Sequence, residues 1–486
     1  MRVLELLIFL ALVIYLLWIS FDSGLQSSLF SYLPFAAAAL TVAHLLLEGA
    51  RWQLAPLYCL VAFSLATFPW LRSRSFQIRL SMLAIVWAGS IPLFAAAAVL
   101  AGTLWPVFPL APVSGPYQVG VINAHLIDRG RLDPYSPGGS AVRELMVEVW
   151  YPAASTSGFD RARYRDGRQS GFKDSQLPLV KTRSFAGPPL SGDQLKYPIV
   201  IFSGPLNRFQ NTYETEDLAS HGFIVVSIDH PYDSDLVVLP DGRRLTAGKD
   251  SELLVFTSEK ALAASRPKVE RRLAIRVGDV KCVLDQLEKW NLNPESRFYK
   301  HLDLAHIAMI GHSFGGATAA EVCTTDARVR VAVNFDGTMF GASKWAGVPK
   351  PYLVFFTSER PTNADLELGD TKSRLEAREV KSDYADIDRT MKRYGGYFIQ
   401  VPQFGHMNFT DTPLYSQLKI WTGAGKIGAR RAHEIVNVVT LAFLRKELLG
   451  QSNVSVEGAV HQYGEVHMVH EMPPVQVSRV GGPYVQ

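Results

Sequence analysis

Cysteine is scarce in this sequence, and the few that occur form no recognisable pattern. The 486 residues contain three, Cys59, Cys282 and Cys323, and their spacing matches neither a metal site nor a redox motif. Cys59 lies in an apolar run and the other two lie in predicted helices, so we expect buried free thiols. The sequence therefore gives no reason to expect a cysteine-bound metal.

A strong excess of one charge is also missing. The 49 Lys and Arg residues against 45 Asp and Glu residues leave a net charge of +4, and charged residues make up 19% of the chain. Such a small excess spread over this length gives no reason to expect a nucleic acid as a partner.

Charge is sparse in the first hundred residues, which contain four long apolar runs. Only the first run carries a charge, Glu5, and a cleavable signal peptide would explain that run but not the later ones. Roughly 20 apolar residues span a bilayer as a helix, so residues 1–105 are predicted to form a transmembrane segment of three or four helices. The runs are Val3 to Ser20, Phe30 to Leu47, the short Leu54 to Trp70, and Leu80 to Trp105.

The arginines near these runs predict an orientation. Arg72, Arg74 and Arg79 lie between the third and fourth runs, whereas residues 80–127 carry no Asp, Glu, Lys or Arg. The positive-inside rule places the arginine loop in the cytoplasm and everything after the fourth run on the extracytoplasmic side. If the third run dips into the bilayer without crossing, Arg2 and Arg51 also lie inside, which favours three crossings over four.

The rest of the chain reads as a linker, a catalytic domain and a tail. Residues 106–116 are proline-rich and form the linker. Residues 117–450 begin with two strands and then alternate strands with helices, which predicts an α/β fold with a mostly parallel sheet and helices on both faces. Residues 451–486 lack strong periodicity, and we expect an extended or mobile tail.

A candidate nucleophile occurs within this domain. An apolar run from His306 to Ile310 leads directly into Gly311-His-Ser-Phe-Gly315, and a predicted helix from Ala317 to Cys323 follows. This is the G-x-S-x-G pattern between a strand and a helix, where a sharp turn exposes the serine hydroxyl and requires small residues on both sides. Ser313 is therefore the predicted nucleophile of an α/β-hydrolase fold.

Chain order predicts the partners of Ser313. In this fold the acid and the histidine follow the nucleophile, each at the carboxyl end of a later strand. Asp336 ends the strand from Val329 to Phe335, and His406 follows the strand from Tyr397 to Val401. The competing acids are Glu359, Asp365 and Asp370, and the competing histidines are His301, His306, His312 and His433.

An oxyanion hole needs two backbone N–H groups directed at the developing negative charge. The N–H of Phe314, directly after the nucleophile, is the first candidate. The second should come from the loop after the strand Pro198 to Ser203, where Pro205 has no N–H and Leu206 is the better candidate.

Several of these stretches together resemble the plasma-type platelet-activating factor acetylhydrolase family, also called the lipoprotein-associated phospholipase family. The resemblance covers roughly residues 115–449. The stretches are Gly115 to Gly120, Tyr197 to Ser203, Leu206, Asp217 to Val225, Gly311 to Thr318, Asp336 to Phe340 and Gly405 to Phe409.

Carried over onto this sequence, the resemblance implies that Ser313 is the nucleophile, Asp336 the acid and His406 the base. It also implies that the backbone N–H groups of Leu206 and Phe314 form the oxyanion hole. The family usually has Ser-His-Gly before that leucine, whereas this chain has Ser203-Gly-Pro205, so the shape of the oxyanion loop differs here.

The resemblance further implies a calcium-independent esterase that needs no cofactor or metal. Its expected substrates are phospholipids with a short or oxidised acyl chain at the second glycerol position, which a bilayer-tethered domain would meet at the membrane. Two alternatives remain open: a general membrane-bound or dienelactone-type esterase with the same triad, and a catalytically silent hydrolase fold that serves as a binding module.

Overall fold

The computed structural model describes residues 2–21, 29–71, 93–94, 96–171, 174–248 and 254–472. The chain folds as two compact units. The first comprises Met1–Pro109, Arg163–Lys181 and Leu414–Thr422, and the second comprises Leu110–Ala162, Thr182–Pro413 and Gly423–Gln486. The first unit therefore contains two segments that come from later parts of the chain.

The first unit is helical. Helices α1 (Val3–Phe21), α2 (Leu33–Leu47) and α3 (Ala55–Leu71) coincide with the first three apolar runs. Residues 96–104 of the fourth run are helical, and most of the run before them lies outside the described residues. By length and composition, Leu29–Leu47 and Trp52–Pro69 can cross a membrane, whereas Val3–Tyr15 is a shorter apolar helix.

These helices present apolar side chains both to one another and to the outside. Ile8 and Leu12 of α1 pack in one buried cluster with Ala37 of α2. On the outer faces, Leu10 is 42% exposed and Leu46 is 79% exposed. Helices that are apolar on every side are typical of a lipid environment.

Polar contacts connect the start of α1, the turn between α2 and α3, and residue 105. Arg51, just before α3, donates to both carboxylate oxygens of Glu5 at 3.0 and 2.7 Å and to the carbonyl oxygen of Trp105 at 3.2 Å. Arg2 donates to Glu5 at 2.8 Å and to the carbonyl oxygen of Gly49 at 2.9 Å. The start of α1, the α2–α3 turn and residue 105 therefore lie at one end of the helical unit.

The second unit contains thirteen described strands, of which eleven form one sheet. They are β1 (Gln118–Leu132), β2 (Val142–Ala153), β3 (Arg161–Arg163), β4 (Lys181–Ala186), β5 (Tyr197–Ser203), β6 (Ile224–Asp229), β7 (Leu236–Val238), β8 (Arg244–Thr246), β9 (Leu302–His312), β10 (Val329–Phe335), β11 (Tyr352–Phe356), β12 (Gly396–Gln400) and β13 (His467–Met472). Strands β7 and β8 pair separately as a small antiparallel ribbon.

The order across the large sheet is β13-β12-β11-β10-β9-β5-β6-β2-β1-β4-β3. Strands β6, β5, β9, β10, β11 and β12 are parallel neighbours. Strand β2 pairs antiparallel with both β6 and β1. The sheet is mostly parallel, as predicted, and its central strands are buried on both faces.

The helices described outside the N-terminal segment are α4 (Thr212–Ser220), α5 (Glu259–Leu292), α6 (Phe314–Thr325), α7 (Gly341–Ala346), α8 (Asn363–Glu367), α9 (Thr371–Tyr394), α10 (Lys419–Thr422), α11 (Ala429–Phe443) and α12 (Val456–Val460). Of these, α10 belongs to the helical unit. The core of the catalytic unit lies between the sheet and helices α5, α6 and α9, represented by Leu284, Ala320 and Ile387.

Two helices differ from the sequence prediction. The helical spacing of apolar residues after Lys268 predicts a helix that begins there. Helix α5 begins nine residues earlier, where the Ser258 hydroxyl caps it by accepting the Ala261 N–H at 3.1 Å. Pro267 lies inside it and did not end it. Helix α9 was not predicted, because its buried face carries several acids among its apolar residues and so hides the helical period.

The expectation of an extended tail is wrong for its first part. After residue 450 the chain forms α12, whose Val456 and Val460 are buried, and then β13, which pairs antiparallel with β12 at the sheet edge. Apolar burial and edge pairing stabilise this stretch, although its short elements show no period in the sequence. Residues 473–486 lie outside the described part of the chain.

Candidate active site

Ser313 lies at the turn between β9 and α6. Its φ of 56° and ψ of −124° are strained for a residue with a side chain, at a typical cost of about 1–3 kcal/mol. A Cβ atom on Gly311 would collide with the carbonyl oxygen of Gly315, and one on Gly315 would collide with that of Ser203. The turn therefore requires both flanking glycines, as the motif predicts.

Asp336 follows β10, and both of its carboxylate oxygens are held. Oδ1 accepts the Thr357 backbone N–H at 2.8 Å, while Oδ2 accepts the Thr357 hydroxyl at 2.7 Å and lies 2.7 Å from His406 Nδ1. Burial raises the pKa of Asp336, but the hydrogen bonds from His406 and Thr357 outweigh burial and lower the pKa below its usual value. The carboxylate is therefore ionised, and His406 Nδ1 carries the proton between them.

His406 begins a short 3-10 turn, His406–Phe409, that follows β12. The Asn408 amide oxygen fixes this loop by accepting the N–H groups of Gly405 at 2.8 Å and Gly425 at 2.6 Å. The His406 side chain is 45% exposed, so its ring is open on one side while Asp336 orients the other.

The competing acids have other contacts. Asp365 and Asp370 cap the starts of α8 and α9, where Asp370 accepts the Ser373 N–H at 2.8 Å. Together with Glu359, they are absent from the described residues that line the cavity at Ser313.

The competing histidines also lie elsewhere, except for one. His306 contacts Asp303 at 2.8 Å, and His433 lies 2.9 Å from the Thr410 carbonyl oxygen. His301 lies in the turn before β9 and is absent from the described residues that line the cavity. His312, the residue before Ser313, instead supports the His406 loop.

His312 is buried between two loops. Its Nε2 donates to the His406 carbonyl oxygen at 2.9 Å, and its ring lies 4.5 Å from the His406 ring between centroids. On the other side, its Nδ1 lies 3.3 Å from Gln210 Nε2. Burial, with a smaller contribution from His406, lowers the pKa of His312 to about 3, so the ring is neutral and positions His406 without taking up a proton. Sequence reasoning placed His312 among the rivals and missed this role.

The predicted oxyanion loop differs from the expectation at Leu206. The Leu206 N–H donates to Gln210 Oε1 at 2.8 Å, and Leu206 is not among the described residues that line the cavity. Phe314, the other predicted donor, does line the cavity. In this structure the Gln210 side chain therefore accepts the hydrogen bond of the N–H group that was predicted as the second oxyanion donor. The contact depends on tertiary folding, so the sequence carries no signal of it.

Two buried arginines of α5 connect the oxyanion loop to the nucleophile turn. Arg276 donates to the Gly204 carbonyl oxygen at 3.1 Å, and the guanidinium groups of Arg272 and Arg276 lie 4.8 and 5.1 Å from the centroid of the Phe314 ring. Asp233 accepts hydrogen bonds from both arginines. Sequence reasoning missed this pair because no motif marks it.

Ser313, Phe314, Asp336 and His406 line one cavity of about 640 Å³. Its wall also includes apolar side chains and three acidic side chains from α9. A serine on a strained strand-to-helix turn, in the same cavity as a histidine oriented by an ionised aspartate, is the arrangement found in ester hydrolases with the α/β-hydrolase fold. The fold and site therefore define the class: a carboxylic ester hydrolase.

A more specific assignment follows from comparison with known proteins. Residues 109–465 match the family model described as platelet-activating factor acetylhydrolase, isoform II. The chain belongs to this family, as its sequence resemblance indicated, and the family's relatives make it a lipid ester hydrolase.

Two relatives and one solved structure illustrate the similarity. The chain is 26% identical over 295 residues to a probable 1-alkyl-2-acetylglycerophosphocholine esterase of Arthroderma benhamiae, a match that covers 57% of this chain and 67% of that protein. It is 30% identical over 364 residues to the platelet-activating factor acetylhydrolase of Cavia porcellus, covering 69% and 77%. A ferulic acid esterase from Streptomyces cinnamoneus superposes with a TM-score of 0.59 and 26% identity, covering 75% of this chain and all of that one.

Proposed function

We propose that this protein is a membrane-anchored serine hydrolase that removes short or oxidised acyl chains from the second position of glycerophospholipids. The observation that carries the proposal is the 2.7 Å contact between Asp336 and His406 in the same cavity as Ser313. It supports a triad in which Ser313 is the nucleophile, His406 the base and Asp336 the orienting acid.

In the first step, His406 Nε2 takes the hydroxyl proton of Ser313 as the oxygen attacks the ester carbonyl carbon. Asp336 holds the ring in the required tautomer and stabilises the imidazolium. The tetrahedral intermediate then expels the alkoxide of the lysophospholipid, which leaves with the proton from His406. Water, activated by His406, hydrolyses the acyl-enzyme and releases the carboxylic acid.

The negative oxygen of the intermediate is stabilised by the backbone N–H groups of Phe314 and Leu206. Because Gln210 accepts the Leu206 N–H in this structure, that N–H group must exchange Gln210 for the substrate oxygen. The loss of one hydrogen bond is offset by a stronger bond to a charged oxygen. The oxyanion hole is therefore completed during the reaction.

The substrate class rests on the relatives and on the cavity. The names of two relatives specify esterases of acetylated ether phospholipids. Leu254, Phe256 and Phe340 form an apolar part of the wall. This apolar part of the wall suits an acyl group, and the acetyl group in the name of one relative favours a short one.

Several features of the helical unit support the membrane anchor. Its helices are apolar on their outer faces, and two of them have the length and composition to cross a bilayer. Trp52, Trp105 and Trp421 form a cluster at one end, with ring centroids 5.6 and 5.1 Å apart. Tryptophan is enriched at membrane–water interfaces, so this end marks the level of one membrane surface.

The polar contacts at this end of the helical unit favour four crossings of the membrane. Arg51 contacts both Glu5 and the carbonyl oxygen of Trp105, so the amino terminus and residue 105 share one side. Two points on the same side of a membrane are joined by an even number of crossings. Arg2 and Arg51 can lie on the extracytoplasmic side because Glu5 pairs with both. The arginines at 72, 74 and 79 then lie alone in the cytoplasm, and the catalytic unit is extracytoplasmic.

A second candidate function has one observation in its favour. The similar solved structure is a ferulic acid esterase, which suggests a general esterase for aryl or polymer esters with the same catalytic residues. Such an enzyme would cleave small aryl esters and leave phospholipids intact.

The nucleophile is tested by trapping the acyl-enzyme. The full-length protein in detergent micelles is mixed with a phosphatidylcholine that carries an acetyl group at the second position, quenched in acid and digested for mass spectrometry. We expect acetylation of the peptide that contains Ser313, and none in Ser313→Ala. Ser155→Ala, an exposed serine, is the matched control and should react as the wild type does. Acetylation at another residue, with full turnover by Ser313→Ala, would contradict the proposed nucleophile.

A further inference from the structure

The oxyanion loop that follows β5 is in contact with a second loop, residues 230–235, which follows β6. We call this second loop the supporting loop. The N–H of its last residue, Asp235, donates to the Leu206 carbonyl oxygen at 2.8 Å. The supporting loop is itself a turn, because the His230 carbonyl oxygen accepts the Asp233 N–H at 3.0 Å. A hydrogen-bonded turn therefore lies against the residue whose N–H is the second proposed oxyanion donor.

A second contact connects the two loops through Arg276 of α5. Asp233 of the supporting loop accepts a hydrogen bond from Arg276, and Arg276 donates to the Gly204 carbonyl oxygen at 3.1 Å. Neither Asp233 nor Arg276 is among the described residues that line the cavity at Ser313. The supporting loop therefore holds two carbonyl groups of the oxyanion loop, one directly and one through an arginine.

The third contact is a buried chain of a serine, a histidine and an aspartate. Ser203, the residue before the oxyanion loop, has its Oγ 2.9 Å from His230 Nε2. His230 Nδ1 lies 2.9 Å from Asp279 Oδ2. The three side chains are each 0% exposed, and they too are absent from the described lining of the cavity. The groups follow one another as in a catalytic triad, but an ester cannot reach this serine.

The charges around this chain determine the direction of its hydrogen bonds. Burial raises the pKa of Asp279, but Arg143 and His230 outweigh burial and lower the pKa well below its usual value. Arg143 donates to both carboxylate oxygens, at 3.0 and 2.6 Å. Burial, together with Arg276, lowers the pKa of His230 to about 4, so the ring is neutral. The ring proton therefore lies on Nδ1, facing the ionised Asp279, and Nε2 accepts the Ser203 hydroxyl.

We propose that His230 and Ser203 are positioning residues that hold the Leu206 N–H group where the oxyanion forms. This inference rests on the proposed serine hydrolysis and concerns the second donor of its oxyanion hole. Ser203 ends β5, and its carbonyl oxygen packs against Gly315, the residue after Phe314. The position of Ser203 therefore contributes to the spacing between the loops that carry the two oxyanion donors.

The test compares an ester with its thiono analogue, in which sulfur replaces the carbonyl oxygen. Sulfur is larger and accepts hydrogen bonds weakly, so an oxyanion hole with well-placed donors favours the oxygen ester. The substrates are para-nitrophenyl acetate and para-nitrophenyl thionoacetate, offered to the full-length protein in detergent micelles. The measured quantity is the ratio of their kcat/KM values, oxygen ester over thiono ester. A loss of folded protein lowers both values equally and leaves the ratio unchanged, whereas a misplaced donor lowers the ratio.

Two variants interrupt the buried chain at different members. Ser203→Ala removes the hydroxyl that His230 holds, and we expect its ratio to fall about tenfold below the wild-type ratio. This is a part of the roughly 10²- to 10³-fold that the loss of a whole oxyanion donor costs. His230→Gln should lower the ratio in the same direction, which provides a second reading if Ser203→Ala fails to fold.

Ser227→Ala is the matched control. Ser227 is a buried serine on β6, paired in register with Phe202, the residue before Ser203. Its hydroxyl has no hydrogen-bond partner among the residues that the structure describes. The ratio of this variant should therefore equal the wild-type ratio.

The outcomes separate the positioning role from the proposed hydrolysis. A wild-type ratio in both Ser203→Ala and His230→Gln, whatever their rates, would overturn the positioning role and leave Ser313 as the nucleophile. An equal fall of the ratio in Ser227→Ala would also overturn it, because the buried chain would then have no special effect. Hydrolysis of the oxygen ester by Ser313→Ala at the wild-type rate would instead reject the proposed nucleophile, and the oxyanion hole with it.

Discussion

At the scale of single residues, the catalytic assignment depends on which acid orients His406. Asp336 alone among the candidate acids contacts His406, and its two oxygens are held by Thr357 as well. We expect Asp336→Asn to lower kcat by about 10³- to 10⁴-fold, because the wrong tautomer of His406 would face Ser313. Steady-state hydrolysis of an aryl ester measures this.

The rival acids provide the controls for that prediction. Glu359→Gln and Asp365→Asn should each keep kcat within about twofold of the wild type, since neither side chain lines the cavity. A large loss in Glu359→Gln, with near-normal activity in Asp336→Asn, would transfer the role to Glu359.

His312 is expected to act by positioning His406. His312→Phe keeps a ring of similar size but loses the bond to the His406 carbonyl oxygen, leaving that oxygen unpaired, and kcat should fall about tenfold with KM little changed. His312→Gln retains a donor and should recover part of the loss. Equal defects in the two variants would mean that ring packing, rather than the hydrogen bond, supports the loop.

Much of the site could be predicted from its residues, and the physical reasons are local. Ser313 could be predicted because its turn requires a glycine on each side. Asp336 and His406 could be predicted from the order of strands along the chain. The contacts of Thr357, Gln210 and His312 could not be predicted, because they join loops that are far apart in the sequence and depend on tertiary packing.

At the scale of elements, helix α4 carries an acid whose pKa links stability to pH. Burial raises the pKa of Glu214 to about 8 from a usual value of 4.5, and its Oε1 has no hydrogen-bond partner among the described residues. Because the folded-state pKa is raised, Glu214 is neutral in the folded protein at pH 6. Its contribution to stability is complete below about pH 4.5 and is lost as the pH rises through about 8.

Glu214→Gln removes this penalty, since glutamine stays neutral at every pH. We expect its melting temperature to exceed that of the wild type by about 2–4 °C at pH 9 and to match it near pH 4. Calorimetry at both pH values measures the difference, with the exposed Glu295→Gln as a control that should show no such pH dependence. A variant that is no more stable than the wild type at pH 9 would contradict this, because ionised Glu214 would then carry no penalty in the folded protein.

The elements themselves were predicted unevenly. Strands such as β5 and β9 were predicted from their apolar runs. Helix α5 was predicted from its regular buried face, although its predicted start was too late in the chain. Helix α9 was not predicted because acidic residues occupy part of its buried face. Asp370 before it and Gly395 after it are nevertheless ordinary signals for the start and end of a helix. Strand β13 is too short to carry a period of its own.

At the scale of the whole molecule, the number of crossings in the proposed membrane anchor determines on which side of the membrane the amino terminus lies. Four crossings place it on the same side as the catalytic unit, whereas three place it in the cytoplasm. We expect an epitope tag at the amino terminus to be accessible in intact cells, and a tag inserted between residues 72 and 79 to become accessible only after permeabilisation. A protected amino-terminal tag would instead support three crossings.

Sequence alone left this number open. Counting arginines favoured three crossings, because charge was considered without its partners. Since Glu5 and Arg51 neutralise each other, Arg51 no longer argues for the cytoplasmic side. The contacts of Arg51 with Glu5 and with the carbonyl oxygen of Trp105 are the observation on which the proposal of four crossings rests.

The central claim is that Ser313 removes short acyl chains from phospholipids, and one series tests it most directly. Phosphatidylcholines with acetyl, butanoyl, hexanoyl, oxidised and palmitoyl chains at the second position are offered to the full-length protein and to Ser313→Ala. We predict rapid release of the acetyl and oxidised chains, a steep decline towards palmitoyl, and no release by the variant. Hydrolysis of simple aryl esters without release from any of these lipids would contradict the account.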